Sequence, residues 1–246
     1  MIPYERQQAI VEALKSHDIL KMEELQQLLP GVSESTLRRD IRELEDNRQL
    51  QRLSGGAVKA YATVAELPLS TKATLQVGEK RAIARIAARF VSEDDTIYLD
   101  SGTTCTALLA EIAHLHVHVV TTNPDALRLV SESTAAEIVM TGGTYSPGIS
   151  SLYGPLTMDA IERYAFDEAF LGANGIDVRF GVTTPHLEES SKKRTVMDHA
   201  KRSFLLCDSS KFNKVSAAKV CELDRVTIIS DKSNERIAEQ TRVICT

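Results

Sequence analysis

The chain has 246 residues, enough for one large or two small domains with a full hydrophobic core. Hydrophobic residues make up an ordinary 43%, and no apolar run approaches the ~20 residues of a membrane-spanning helix, which excludes such a helix. The net charge of −5 argues against a broadly basic nucleic-acid binder, and the opening Met1-Ile2-Pro3-Tyr4-Glu5-Arg6 lacks the basic-then-apolar plan of a signal peptide, so a cytoplasmic location is expected.

Residues 5–16 read as a first helix with Ile10, Val11 and Leu14 on its buried stripe. A second apolar-periodic segment spans 19–29, and Pro30-Gly31-Val32-Ser33 punctuates it as a tight turn. Ser33 is a good N-cap for the helix that follows, in which Leu37, Ile41 and Leu44 recur at i, i+4 and i+7. Arg38, Arg39 and Arg42 fall off that stripe and face solvent. Taken alone, such a helix reads first as an amphipathic surface helix with a solvated charged face. Its context is a helix, a short turn with glycine and a capped arginine helix, which is the helix-turn-helix arrangement, here about 20–39. Residues 50–58 then read as two short strands around Gly55-Gly56, a wing with Arg52 beside it. The first 60 residues hold nine basic and ten acidic side chains, but arginines gather at 38, 39, 42, 48 and 52. Local clustering matters more than the sum, because charge is felt over a Debye length of about 10 Å. The weak total favours pairing of two winged helices in a homo-oligomer, a dimer or tetramer.

Residues 59–77 lose periodicity and read as a linker. A helix over 78–91, with Ile83, Ile86, Ala87 and Phe90 inward, opens a second domain, 78–246. Strands are expected at 96–99, 117–121, 136–140, 169–171, 204–207, 226–229 and 242–244, with helices at 103–113, 124–131 and 186–200. That alternation predicts an α/β fold with a mostly parallel sheet behind a small winged helix-turn-helix.

Ligands of such sheets bind beyond the carboxyl ends of the strands. Asp100-Ser101-Gly102-Thr103-Thr104 leads from a strand into a helix, so free N–H groups and hydroxyls make an anion site; the simpler alternative is that Asp100 or Ser101 only caps the helix. Other strand-end turns are Thr121-Thr122-Asn123, Thr141-Gly142-Gly143, Gly172-Ala173-Asn174-Gly175, Gly181-Val182-Thr183-Thr184 and Asp208-Ser209-Ser210-Lys211-Phe212. So many in one sheet point to a phosphate-bearing small molecule. Lys211 is expected over the pocket, the alternative being a surface lysine paired with Asp208. Cys105, Cys207, Cys221 and Cys245 are scattered, and buried free thiols are expected rather than disulfides or zinc. His114, His116 and His118 alternate as on one strand face, an exposed or edge surface rather than a metal site. No phosphate-loop or dinucleotide glycine motif occurs, and neither a cofactor nor a metal is expected.

Residues 1–58 resemble the winged helix of the DeoR family of bacterial sugar-metabolism repressors, through Arg6, Ile10, Val32-Ser33, Thr36-Leu37-Arg38-Arg39-Asp40, Leu44-Glu45, Leu50, Arg52 and Gly55-Gly56-Ala57. Residues from about 76 to 235 resemble that family's effector domain, related to ribose-5-phosphate isomerase, through the strand-end turns above with Gly154-Pro155, Phe166-Asp167, Asp177 and Lys193-Arg194. The resemblance implies a repressor of a carbohydrate operon, binding a double-stranded operator under control of a phosphorylated sugar. Ser33, Ser35, Thr36, Arg38, Arg39, Arg42 and Arg52 are then the candidate DNA contacts. Asp100, Ser101, Gly102, Thr103, Thr104, Asn123, Gly142, Gly143, Gly172, Ala173, Asn174, Thr184, Glu188 and Lys211 are the candidate effector contacts. Many members carry an acid two before the helix lysine; Ser191 stands there, leaving Glu188 and Glu189 for that role. The competing reading is a phosphosugar isomerase-like enzyme with an accessory N-terminal domain. Such enzymes resemble D-G-A-D-E at a turn that reads Leu171-Gly172-Ala173-Asn174-Gly175 here, without the ionisable groups of proton transfer, so no enzyme is expected.

Overall fold

A computed structural model describes residues 3–17, 19–46, 50–53, 56–60 and 69–246. The chain divides into two compact units, Met1–Thr63 and Val64–Thr246.

In the first unit, helix α1 (Pro3–Ser16), α2 (Met22–Leu28) and α3 (Glu34–Asp46) precede an antiparallel pair, β1 (Leu50–Arg52) and β2 (Val58–Ala60), in the register Leu50 to Ala60. The expected stripe is the core: Ile10, Leu25, Leu37, Ile41, Leu44, Leu50 and Val58 are all buried together. Ser33 caps α3 by accepting from Thr36 N–H at 3.2 Å. Asp40, on the inner side of α3, takes the Arg6 guanidinium of α1 in two bonds of 2.7 and 3.0 Å. This buried pair fixes the recognition helix against α1. Arg48, Ser54 and Gly55 lie outside the described residues, as do 61–68 within the stretch read as a linker. Residues 69–74 of that stretch form a helix, α4 (Leu69–Thr74).

The second unit continues with α5 (Val77–Ala88), β3 (Thr96–Leu99), α6 (Thr103–Ile112), β4 (His118–Thr121), a 3-10 turn Pro124–Leu129 and β5 (Glu137–Met140). A hairpin of β6 (Thr144–Ser146) and β7 (Ser151–Tyr153) and helix α7 (Pro155–Glu162) follow. Then come β8 (Phe166–Gly172), β9 (Gly175–Asp177), β10 (Gly181–Thr184), α8 (Leu187–Asp198), β11 (Ala200–Leu206), β12 (Ala218–Cys221), β13 (Thr227–Ser230), α9 (Glu235–Ala238) and β14 (Val243–Cys245). The seven-stranded sheet has the order β14-β13-β11-β8-β3-β4-β5, with every pairing parallel. Alternate residues feed opposite faces. Ile97, Leu99, Phe170, Phe204 and Leu206 pack with α5 and α6, while Tyr98, Ala169, Leu171 and Leu205 pack with α7 and α8.

Four expectations need correction. Gly181–Thr184 is not a strand-end turn but strand β10 itself, in a second, antiparallel sheet ordered β12-β10-β9. The 124–131 helix is a 3-10 turn, because Asn123 at its N-cap accepts from Asp125 N–H and locks a tight start. Only His118 of the three histidines lies on a strand; all three are exposed, and His118 meets Glu137 at 2.7 Å. The cysteines are free, yet Cys245 is exposed on the edge strand. Among the described residues, no helix is long and apolar enough to cross a membrane.

Candidate functional sites

On α3, Ser33, Ser35, Arg38, Arg39 and Arg42 are exposed and Thr36 is half-buried. The arginines are not equivalent. Glu34 holds Arg38 through Nε and a terminal nitrogen at 2.9 and 2.6 Å. Glu45 holds Arg52 at the wing through its backbone N–H (3.1 Å) and Nε (2.6 Å). Arg39 and Arg42 have no ion pair among the described residues. Arg38, Arg42, Arg52 and Gly56 border one groove between α3 and the wing. A positively lined groove beside an exposed helix is suited to phosphate and base edges.

In the second unit the chain order reverses direction across the sheet between β3 and β8, the switch point where parallel sheets open a crevice. A cleft lies at that point. Its floor is the turn from β3 into α6: Ser101, Gly102, Thr103 and Thr104. Gly102 has φ 138°, which an L side chain rarely adopts, and no side chain caps the helix. The first N–H groups of α6 therefore lack helical partners and face a cleft. Gly172, Ala173, Asn174 and Thr184 form one wall, and Lys211 another. The Asn174 amide oxygen accepts from the Thr184 hydroxyl at 3.3 Å.

Lys211 is not paired with Asp208. Its ammonium has no hydrogen bond or ion pair among the described residues, while the Asp208 carboxylate accepts from Ser210 N–H at 3.0 Å. Burial lowers the Lys211 pKa; the Asp208 charge opposes this, and Lys72 and Lys214 add to it. Lys211 and the uncapped start of α6 thus line the same cleft.

Five expected contacts do not stand on the cleft wall. Asp100 is fully buried; its Oδ2 accepts from Gly172 N–H at 2.9 Å and from Lys193, and its Oδ1 has no partner. It braces the β3–β8 junction. Asn123 is buried as a cap, its amide donating to Thr106 at 2.8 Å. Gly142 and Gly143 belong to the turn before β6, where a Cβ on Gly143 would meet Thr157 Oγ1 at 2.1 Å, so close packing explains that glycine. Glu188 is exposed beside Leu187 and Met158, whereas Glu189, one residue on, faces the cleft.

Sequence reasoning named Glu189 and Lys193 but missed Lys192 and the ionic floor that these side chains build beneath the cleft. Lys193, on the cleft wall, is paired with Asp100; burial alone would lower its pKa, but the Asp100 and Glu189 charges raise it overall. Lys192 is 1% exposed and its ammonium reaches Glu189 (2.6 Å), Ser151 (2.6 Å), Thr122 (3.2 Å) and the Leu152 carbonyl (3.2 Å). Ser151 in turn accepts from Ser101 at 2.9 Å. A signal was present: Glu189, Lys192 and Lys193 share a helical stripe with Val196 and Met197, so charges fall on the inward face of α8.

A winged helix-turn-helix joined to a parallel-sheet unit with a polar cleft at its switch point defines a transcription regulator with a separate sensor unit. The particular group follows from comparison with known proteins. Residues 6–62 match the DeoR-like helix-turn-helix domain and residues 75–232 the DeoR C terminal sensor domain. The chain belongs to the DeoR family of HTH-type transcriptional regulators. It is 33% identical over 237 residues to the uncharacterized HTH-type transcriptional regulator FruR of Bacillus subtilis, covering 96% of this chain and 93% of that one. It is 31% identical over 229 residues to a putative aga operon transcriptional repressor of Escherichia coli O157:H7, covering 92% and 84%. Ribose 5-phosphate isomerase A from Methanocaldococcus jannaschii superposes at 19% identity with a TM-score of 0.39, over 54% of this chain and 53% of that one, too loosely to bear on the chemistry.

Proposed function

We propose that the cleft binds a phosphorylated sugar or sugar derivative and that this ligand controls operator binding by the first unit, in a repressor of a carbohydrate-metabolism operon. The observation that carries the reading is Lys211, an unpartnered ammonium half-buried over the uncapped N-terminus of α6. Helix N–H groups and a mobile point charge together suit a phosphate dianion. Glu189 faces the same cleft with one oxygen tied to Lys192, which leaves carboxylate acceptor capacity for sugar hydroxyls. Names among the relatives, such as the aga operon repressor, agree with a carbohydrate context.

Turnover is not proposed. Leu171 is buried in the core, and the Asn174 side chain is an amide, so neither position supplies a proton acceptor. A homo-oligomer with paired recognition helices on a repeated or palindromic operator, about 34 Å apart or a multiple of it, follows from the small reach of one winged helix. This reading puts the site of action in the cytoplasm, where an operator would be met.

Calorimetry with a panel of pentose and hexose phosphates tests the reading, with Lys211→Met beside wild type. A lost charged hydrogen bond should weaken the effector by about 1.5–3 kcal/mol, while operator binding without effector stays normal. Wild-type effector affinity in Lys211→Met would refute the assignment of the phosphate to this lysine.

A further inference from the structure

Lys80 occupies two positions of consequence at once. It sits in the first turn of α5, is 7% exposed, and lines the cleft with Lys211 and Gly102. Its ammonium donates to the Leu75 carbonyl at 2.7 Å and to the Lys72 carbonyl. Those carbonyls lie at the C-terminal end of α4, where the Lys72 carbonyl also accepts from Leu75 N–H at 3.3 Å. Lys80 therefore acts as the C-terminal cap of α4. The joint between α4 and α5 is Gln76, at φ 48°, a left-handed conformation that a side chain of this kind seldom takes. Lys72, Leu75 and Gln76 themselves line the cleft. The end of α4 is thus one wall of the pocket, and from α4 the chain runs back towards the DNA-reading unit.

An ammonium has three N–H groups. Two of those on Lys80 serve α4, and the third is available to a group in the cleft. Burial lowers the Lys80 pKa; the Asp208 and Glu79 charges oppose this, while Lys211 and Lys72 add to it. An anion between Lys80 and Lys211 would act in the same sense as Asp208 and offset the repulsion between the two ammonium groups. It favours the charged form of Lys80 and strengthens its hold on both carbonyls.

We infer that Lys80 couples anion occupancy of the cleft to the ordering of α4, making it a positioning residue for the signal to the DNA-reading unit. The inference rests on the reading of the cleft as an anion site. Energetically, the ligand shifts α4 only because it interacts differently with the gripped and released states.

The test is amide hydrogen exchange on the full chain with and without inorganic phosphate, at ionic strength matched with chloride. Peptides spanning 101–107 report the cleft floor, and peptides spanning 69–80 report α4. In wild type, phosphate should slow exchange severalfold in both. In Lys80→Met, 69–80 should exchange faster without phosphate and no longer respond to it, while 101–107 still responds. Lys80→Arg, which keeps charge and donors, should restore part of the α4 response. Protection of 101–107 with no change at 69–80 in wild type overturns the coupling and leaves the cleft reading standing. No response in either peptide removes both. An α4 response in Lys80→Met equal to that of wild type also overturns the coupling, and if that variant does not fold, the wild-type comparison still decides.

Discussion

Lys192→Met should destabilise the second unit by a predictable amount. The buried ammonium is within 3.2 Å of four oxygens, on Thr122, Ser151, Leu152 and Glu189. Methionine fills most of the lysine stem, so little volume is lost. Three of the oxygens keep other partners: Ser151 still receives Ser101, Thr122 still meets the Tyr98 hydroxyl at 3.1 Å, and the Leu152 carbonyl still accepts from Ser151 at 3.4 Å. The cost therefore falls on Glu189, which is 6% exposed and would lose its cation. Breaking a buried pair from one side costs about 3–5 kcal/mol, and the lower end applies because Glu189 faces a cleft that water can enter. For a unit of this size, about 3 kcal/mol lowers the melting temperature by roughly 6–12 °C. Scanning calorimetry at neutral pH should show this shift in the transition of the second unit. Lys192→Met/Glu189→Leu should recover more than half of it, since no carboxylate then remains unpaired. A shift below about 2 °C, or a double variant no better than the single, refutes the ionic floor.

Other outcomes follow from the same geometry. Arg39→Ala and Arg42→Ala should each weaken operator binding and reduce the salt dependence by about one unit, and Arg38→Ala should do less because Glu34 already engages it; titrations across salt concentrations would show the reverse ranking if the assignment is wrong. Burial raises the Glu168 pKa, so its contribution to stability is present below the unfolded value of about 4.3 and is lost as pH rises through the folded value. The stability advantage of Glu168→Gln over wild type should therefore grow as pH rises from about 4.3 and then level off; a shrinking advantage in chemical denaturation would contradict the shift. Burial raises the thiols of Cys105 and Cys207, and holds Cys221 at about 12, so native alkylation near pH 8 should label Cys245 first, as mass spectrometry can check.

What the sequence disclosed depended on how much regular pattern each element carries. The recognition helix was legible because Leu37, Ile41 and Leu44 keep helical spacing and Ser33 marks the start. Central strands such as Thr96–Leu99 and Phe204–Leu206 were legible because burial on both faces demands continuous apolar runs. The hairpin Thr144–Tyr153 and the small sheet β12-β10-β9 were not, since strands of three or four residues are too short to show an alternation. Helix α7 was hidden behind Gly154-Pro155, which served only as a mark of the family resemblance. At the site, the Ser101–Thr104 turn and the Gly172–Asn174 wall were legible as strand ends. Asn123 and Gly143 matched the same rule, yet one caps a turn and the other makes room for Thr157, which only the fold can reveal.

The order of strands also sets a timetable. Every described pairing of the first unit is complete once residue 60 has been made. The centre of the large sheet is not, because β3 must wait for β8, where Leu99 meets Phe170. The cleft floor waits longer still, until Lys193 arrives to neutralise Asp100. At about 5–20 residues per second of synthesis, the DNA-reading unit precedes a finished sensor by roughly ten seconds or more. Where ribosomes work close to the chromosome, a nascent chain would pass through a period of holding a formed reader and an unfinished second unit.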